Sequence, residues 1–177
     1  MGQIFSICRR SEADSEGDAL LKRAGDDLYC AADAGDHTRC QSLLAIGADV
    51  NHIRNPEYND TPLHMASLNG RTPIVKLLID NGALVDSKSR NGFTPLQIAA
   101  QEGHLATARL LVNSGARTDA AQRRGAMPIH LAAQKNRHQI LTYLVTEAGV
   151  SVNVVSTVHI LLLVVMTSYW SPNTCDL

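Results

Sequence analysis

Thr61-Pro62-Leu63-His64-Met65-Ala66 is followed thirty-three residues later by Thr94-Pro95-Leu96-Gln97-Ile98-Ala99, and after the same interval by Met127-Pro128-Ile129-His130-Leu131-Ala132. Three copies in register mark a repeat, and the chemistry of each copy reads as the start of a helix. Thr61 and Thr94 suit the N-cap position, and the proline after each suits the first turn, where its missing N–H costs nothing. Ala66, Ala99-Ala100 and Ala132-Ala133 are small enough for the helices of neighbouring units to approach closely.

Outward from this motif the rest of the unit follows. Gly70, Gly103 and Asn136 fall where the short first helix should end, in positions that tolerate a left-handed backbone. A second helix is expected through Val75 and Leu77-Leu78, then Ala108 and Leu110-Leu111, then Ile140, Leu141 and Leu144. Asn81-Gly82-Ala83, Ser114-Gly115-Ala116 and Ala148-Gly149-Val150 close it and lead into an extended finger. Upstream, Asp26-Asp27-Leu28-Tyr29-Cys30-Ala31 aligns with Thr61 to Ala66, and Gly47-Ala48-Asp49-Val50-Asn51 ends that copy in the same manner. This first copy is two residues longer, with the insertion expected around Asn55-Pro56-Glu57-Tyr58. Asp26-Asp27 in place of Thr-Pro reads as an N-terminal capping unit with a polar outer face.

The period and the T-P-L-H-x-A pattern resemble the ankyrin-repeat family. The resemblance covers residues 21–153, about four repeats near 21–55, 56–88, 89–121 and 122–154 within a domain of 20–153. It implies an all-α solenoid of helix-turn-helix units with extended finger loops. The chain departs from the family pattern at Gln97, where histidine is usual, and at Met127, where threonine is usual, so a looser start is expected for the fourth repeat.

Composition agrees. The chain has 177 residues, long enough for one domain, with 45% hydrophobic but only 4% aromatic residues, which suits stacked small helices better than a β-sandwich. A net charge of -1 argues against a dedicated nucleic-acid binder. Cys8, Cys30, Cys40 and Cys175 form no C-x-x-C pair, and Cys30 and Cys40 lie in helical, apolar contexts that suit reduced core thiols.

The family resemblance implies function through binding. Ankyrin proteins engage partners through finger tips and the exposed face of each first helix. Transferred by position, the finger candidates are Glu57, Tyr58 and Asp60, then Arg90, Asn91 and Phe93, then Arg123, Arg124 and Ala126. The helix-face candidates are Asp33 and Ala34, Leu68 and Asn69, Gln101 and Glu102, and Gln134 and Lys135. Tyr58 and Phe93 are the expected anchors, because aromatics dominate interface hot spots. From Arg117 to Arg137 the chain carries Arg117, Arg123, Arg124, Lys135 and Arg137 against Asp119 alone, so a protein partner with an acidic segment should be steered there. A monomer is expected, with no nucleic-acid partner, no metal and no cofactor.

Catalysis finds little support. His64 and His130 are motif residues, which the family resemblance implies bond to the backbone, and His104 belongs to a Gly-His pair frequent in the family. The remaining residues assemble no nucleophile–histidine–acid set, phosphate loop or metal-ligand spacing, so the chain is not expected to be an enzyme.

The two ends read differently. Met1-Gly2-Gln3-Ile4-Phe5-Ser6 fits the N-myristoylation pattern, with Gly2 as acceptor. One such chain anchors only marginally, with a constant of about 10⁴ M⁻¹. Cys8 is placed to carry a second, palmitoyl group, because Arg9 and Arg10 are followed at once by Glu12, Asp14, Glu16 and Asp18 and make a poor basic patch. Residues 1–19 are expected to be a lipidated, disordered tether, and the chain to sit in the cytoplasm on the inner face of a membrane. No secretory signal is visible: Ile4 to Cys8 is far shorter than the roughly 7–15 apolar residues one needs. Residues 154–177 form an apolar tail. Its run from Val154 to Met166 falls short of the roughly 20 residues of a membrane span. Packing on the last repeat is expected, with a span or an alternative-exon end left open. The function expected is a membrane-tethered adaptor, the alternative being the targeting module of a larger enzyme such as a ubiquitin ligase or kinase.

Overall fold

The computed structural model describes residues 12–150. These form eight helices and no strand. In order they are α1 (Glu12–Ala34), α2 (His37–Ala45), α3 (Pro62–Leu68), α4 (Thr72–Asp80), α5 (Pro95–Glu102), α6 (Leu105–Asn113), α7 (Pro128–Gln134) and α8 (His138–Thr146). Each odd helix pairs with the even helix after it. The odd helices pack in the series α1, α3, α5, α7 and the even ones in the series α2, α4, α6, α8, so the four pairs make a solenoid.

The core lies between these layers. Leu28, Leu63, Leu96 and Ile129 hold equivalent positions on the odd helices, and all are buried. Cys40, Val75, Ala108 and Leu141 face them from the even helices, again buried. Ala66, Ala99 and Ala132 are buried at the close approach between successive odd helices, where a larger side chain would hold the repeats apart. The low aromatic content follows from this geometry.

Repeat boundaries obey the local chemistry. Thr61 and Thr94 enter their helices from extended backbone, at φ −97°, ψ 167° and φ −95°, ψ 160°. Met127 enters at φ −92°, ψ 167°, so the fourth repeat starts in the same geometry without a hydroxyl. His130 Nδ1 accepts from the Met127 N–H at 3.1 Å, the bond that His64 makes to the Thr61 N–H in the second repeat, so this half of the helix start survives without the hydroxyl. The expected left-handed positions are left-handed: Gly70 at φ 63°, Gly103 at 95° and Asn136 at 58°.

Glycine is needed at two of these turns for a second reason. A Cβ on Gly70 would lie 2.4 Å from the His104 ring, and one on Gly103 would lie 2.9 Å from Arg137 Cδ. Those side chains lie there because they cap the helix of the preceding repeat. His104 Nε2–H donates to the Leu68 carbonyl at 2.9 Å, and Arg137 Nε–H donates to the Gln101 carbonyl at 3.0 Å. A nitrogen donor at a helix C-terminus satisfies an orphan carbonyl and meets the negative end of the dipole. On the other layer, Leu84 N–H donates to Asn51 Oδ1 at 2.8 Å and Arg117 N–H to Asp86 Oδ1 at 3.0 Å, so the same bracket recurs between repeats.

The first repeat departs from expectation. Its first helix begins at Glu12, so residues 12–18 are helical where a disordered tether was expected. Ala19-Leu20-Leu21-Lys22-Arg23-Ala24 are good helix formers that sustain it. Asp26 and Asp27 therefore lie inside the helix and not at its start. There Asp26 meets His52 Nε2 at 2.9 Å and Asp27 meets Arg39 at 3.2 Å. Nor is this end uniformly polar: Leu20, Leu21 and Ile46 are exposed. Gly2, Cys8 and the tail from Val154 lie outside the described residues.

Candidate functional site

Three fingers follow α2, α4 and α6, and each is shaped by its own short-range bonds. In the first, Asn55 Oδ1 accepts from the Glu57 N–H at 2.8 Å, and the Asn55 carbonyl accepts from Tyr58 and Asn59. In the second, Ser89 N–H donates to the Phe93 carbonyl at 2.9 Å around Gly92, whose φ is 80°. In the third, Gln122 N–H donates to the Ala126 carbonyl at 3.0 Å around Gly125, also at φ 80°.

In the second and third repeats the buried residue at the fourth place of the motif ties its helix to the finger that follows. His64 is 1% exposed. Its Nδ1 accepts from the Thr61 N–H at 3.1 Å and contacts the Thr61 hydroxyl at 2.9 Å, while Nε2–H donates to the Phe93 carbonyl at 3.1 Å. A carbonyl can only accept, so Nε2 carries the proton and the ring is neutral when both bonds form. Burial pushes the His64 pKa below its ordinary value, against the bond to Phe93 and the charge of Asp60, which pull it up. Asp60, half-buried beside it, is pushed up by its own burial and pulled down by His64.

Gln97, the departure from the family pattern, performs the same task. Its Oε1 accepts from the Thr94 N–H at 2.9 Å, and its Nε2 donates to the Ala120 and Ala126 carbonyls at 2.7 and 3.0 Å. An amide has two donor hydrogens where a neutral imidazole has one, so Gln97 holds two carbonyls of the next finger.

The fingers are also joined to one another. Arg90 N–H donates to the Tyr58 carbonyl at 2.7 Å, Asn59 Nδ2 to the Lys88 carbonyl at 2.7 Å, and Arg123 N–H to the Asn91 carbonyl at 3.2 Å. This register places Glu57, Arg90 and Arg123 at one level of their fingers, and Tyr58, Asn91 and Arg124 at the next. The extra residues of the first repeat therefore lie before Glu57. Of these six side chains all are exposed, Tyr58 at 62%. Phe93 is only partly exposed.

On the first-helix face the candidates divide. Leu68, Gln134 and Lys135 are exposed, and Gln101 and Glu102 are half-exposed. Asn69 is exposed but engaged: its Nδ2 donates to Asp33 Oδ1 at 2.9 Å and so ties the second repeat to the first. The basic stretch is likewise sorted. Arg117 pairs with Asp119 at 3.1 Å, and Arg137 is spent on the Gln101 carbonyl. Among the described ion pairs none involves Arg90, Arg123, Arg124 or Lys135. Lys88, exposed on the second finger, is a further cation that the transfer by motif position passed over, because it lies outside the transferred positions.

Among the described residues no group of three or more His, Cys, Asp or Glu side chains is placed to hold a metal ion, and no helix is long and apolar enough to cross a membrane.

Known proteins carry the same units. The chain is 31% identical over 75 residues to ankyrin repeat-containing protein YIL001W of Saccharomyces cerevisiae, covering 42% of this chain and 14% of that protein. It is 42% identical over 65 residues to the 2-5A-dependent ribonuclease of Mus musculus, covering 37% and 9%. It is 37% identical over 82 residues to ankyrin repeat domain-containing protein 7 of Homo sapiens, covering 45% and 32%. The matched stretch is thus a third or less of each relative's length. The family model for ankyrin repeats in three copies matches residues 28–122 and 85–156. With the helix pairs, left-handed turns and linked fingers in place, this chain belongs to the ankyrin-repeat family.

Proposed function

We propose that this chain is a membrane-tethered adaptor that holds a protein partner at the cytoplasmic face and acts by binding, not by catalysis. One observation carries the binding half: fingers held in mutual register by backbone hydrogen bonds display an exposed row of Tyr58, Arg90, Asn91, Arg123 and Arg124. A rigid display lowers the entropy lost on association, which is how a repeat surface becomes a binding surface. The cations without a carboxylate partner favour a partner with an acidic segment. Support for the tether comes from the N-terminal sequence, with Gly2 and Ser6 in the myristoylation pattern and Cys8 available for a second acyl group.

Membrane fractionation of the intact chain beside Gly2→Ala tests the tether. Wild type should pellet with membranes and the variant should turn soluble. If both pellet, the N-terminal acyl group is not the anchor.

A second reading, the targeting module of a larger enzyme, draws on the similar repeats within a ribonuclease of which the match spans 9%. A longer transcript that shares residues 1–153 and continues into a catalytic domain would decide for it.

A further inference from the structure

The finger tips carry a charge pattern that narrows the partner further, on the footing that the surface binds protein. Lys88, Arg90, Arg123 and Arg124 are exposed, and no described ion pair engages them. The finger carboxylates are mostly committed elsewhere. Asp86 accepts the Arg117 N–H at 3.0 Å, Asp119 pairs with the Arg117 side chain at 3.1 Å, and Asp60 is half-buried. Glu57 remains, at the N-terminal end of the row. Arg90 is held toward this row by its own Nη1, which donates to the Glu57 carbonyl at 3.1 Å.

Spacing turns this charge into a specificity. Arg90 and Arg123 occupy equivalent positions on adjacent fingers, joined through the bond from Arg123 N–H to the Asn91 carbonyl. Adjacent packed helices lie about 8–10 Å apart, so stacked repeats present equivalent residues at about that interval. A peptide in the extended polyproline II conformation rises about 3.1 Å per residue and turns once every three residues, so its residues three apart share a face. Three residues of such a peptide match one repeat.

We propose that the finger tips bind an extended peptide segment whose acidic side chains recur every third residue, one meeting Arg90 and the next meeting Arg123 and Arg124. Tyr58, in the level beside Arg90 at the N-terminal end, offers a flat apolar ring to the residue that precedes the acids. Glu57 repels an acid placed one step too far and fixes the direction of the register. A flat anionic membrane fits less well, because the cations form a narrow row on the fingers while Asp33 and Glu102 mark the helix face of the same repeats.

The test uses the full chain and two fluorescein-labelled twelve-residue peptides of Ser, Gly and Asp. One has Asp at every third position, and the other has the same residues with the acids contiguous. Fluorescence anisotropy should show the spaced peptide binding more tightly than the contiguous one. The Arg90→Glu/Arg123→Glu double variant should weaken the spaced peptide by about tenfold, the scale expected when two or three exposed ion pairs are lost. Lys22→Glu, at another exposed cation, on α1, should leave it unchanged, and thermal melts by circular dichroism establish that all variants fold.

Equal affinity for the two peptides overturns the spacing while an acidic partner stands. No binding of either overturns the proposal, and the tether remains to be judged by Gly2→Ala alone. Binding to phosphatidylserine vesicles that falls in the double variant, with no peptide binding, assigns the cations to a membrane and overturns the proposal as well.

Discussion

Replacing His64 by glutamine should preserve the repeat and remove a pH-dependent part of its stability. Unfolded, this histidine titrates near its ordinary value of 6.5, whereas burial holds it below that value in the folded chain. Above pH 6.5 both states are neutral and the contribution of the buried ring is fully present. Below it the unfolded chain binds a proton that the folded chain refuses, so stability falls with pH until the folded value is reached. One proton corresponds to a slope of up to about 1.4 kcal/mol for each pH unit in that window. Glutamine can repeat what Gln97 does one repeat later, accepting the Thr61 N–H and donating to the Phe93 carbonyl without titrating. At neutral pH the variant should differ by no more than about 0.5–1.5 kcal/mol, the net worth of one hydrogen bond.

Urea unfolding of both chains between pH 5 and 8 supplies the measurement. The wild-type stability should drop away from the variant's as pH falls through 6.5 and below. Parallel curves would show that His64 does not carry the linkage. A variant that loses more than wild type on acidification would mean that Asp60 outweighs burial and keeps the folded ring protonated.

Two further tests concern the fabric of the repeats. Gln97→Leu keeps volume but strips partners from the Thr94 N–H and the Ala120 carbonyl, while the Ala126 carbonyl keeps its bond from the Gln122 N–H. A loss of about 2–5 kcal/mol in urea midpoint analysis is expected, and a loss below about 1 kcal/mol would show that these groups find partners without the amide. Gly115→Ala and Gly103→Ala separate backbone conformation from close approach, since both sites are left-handed, at φ 90° and 95°. Nothing lies within 4 Å of the added Cβ at Gly115, while Arg137 lies at 2.9 Å from it at Gly103. Gly115→Ala should cost about 1–2 kcal/mol and Gly103→Ala clearly more, through displacement of the Arg137 cap; equal losses would refute that role.

The sequence alone determined the architecture, because each element of a repeat is specified within a few residues of itself. Thr61-Pro62 and Thr94-Pro95 start helices by satisfying, or not needing, N–H groups that any helix leaves open. Gly70, Gly103 and Asn136 end them because few other residues enter left-handed backbone, and the thirty-three-residue period makes neighbouring copies pack alike.

What only the tertiary structure decided is how side chains are divided between holding the stack together and facing a partner. In sequence, Asn69 looked like a contact residue and Arg117 and Arg137 looked like free charges. In the fold Asn69 reaches Asp33, Arg117 reaches Asp119, and Arg137 reaches the Gln101 carbonyl thirty-six residues back. Gln97 looked like a lapse from the motif and proved to hold two carbonyls of the next finger. The bonds of Asn69, Arg137 and Gln97 cross from one repeat to the next, so they depend on the rise and rotation of the stack. That geometry is a sum over many packed residues, and no local stretch of sequence encodes it.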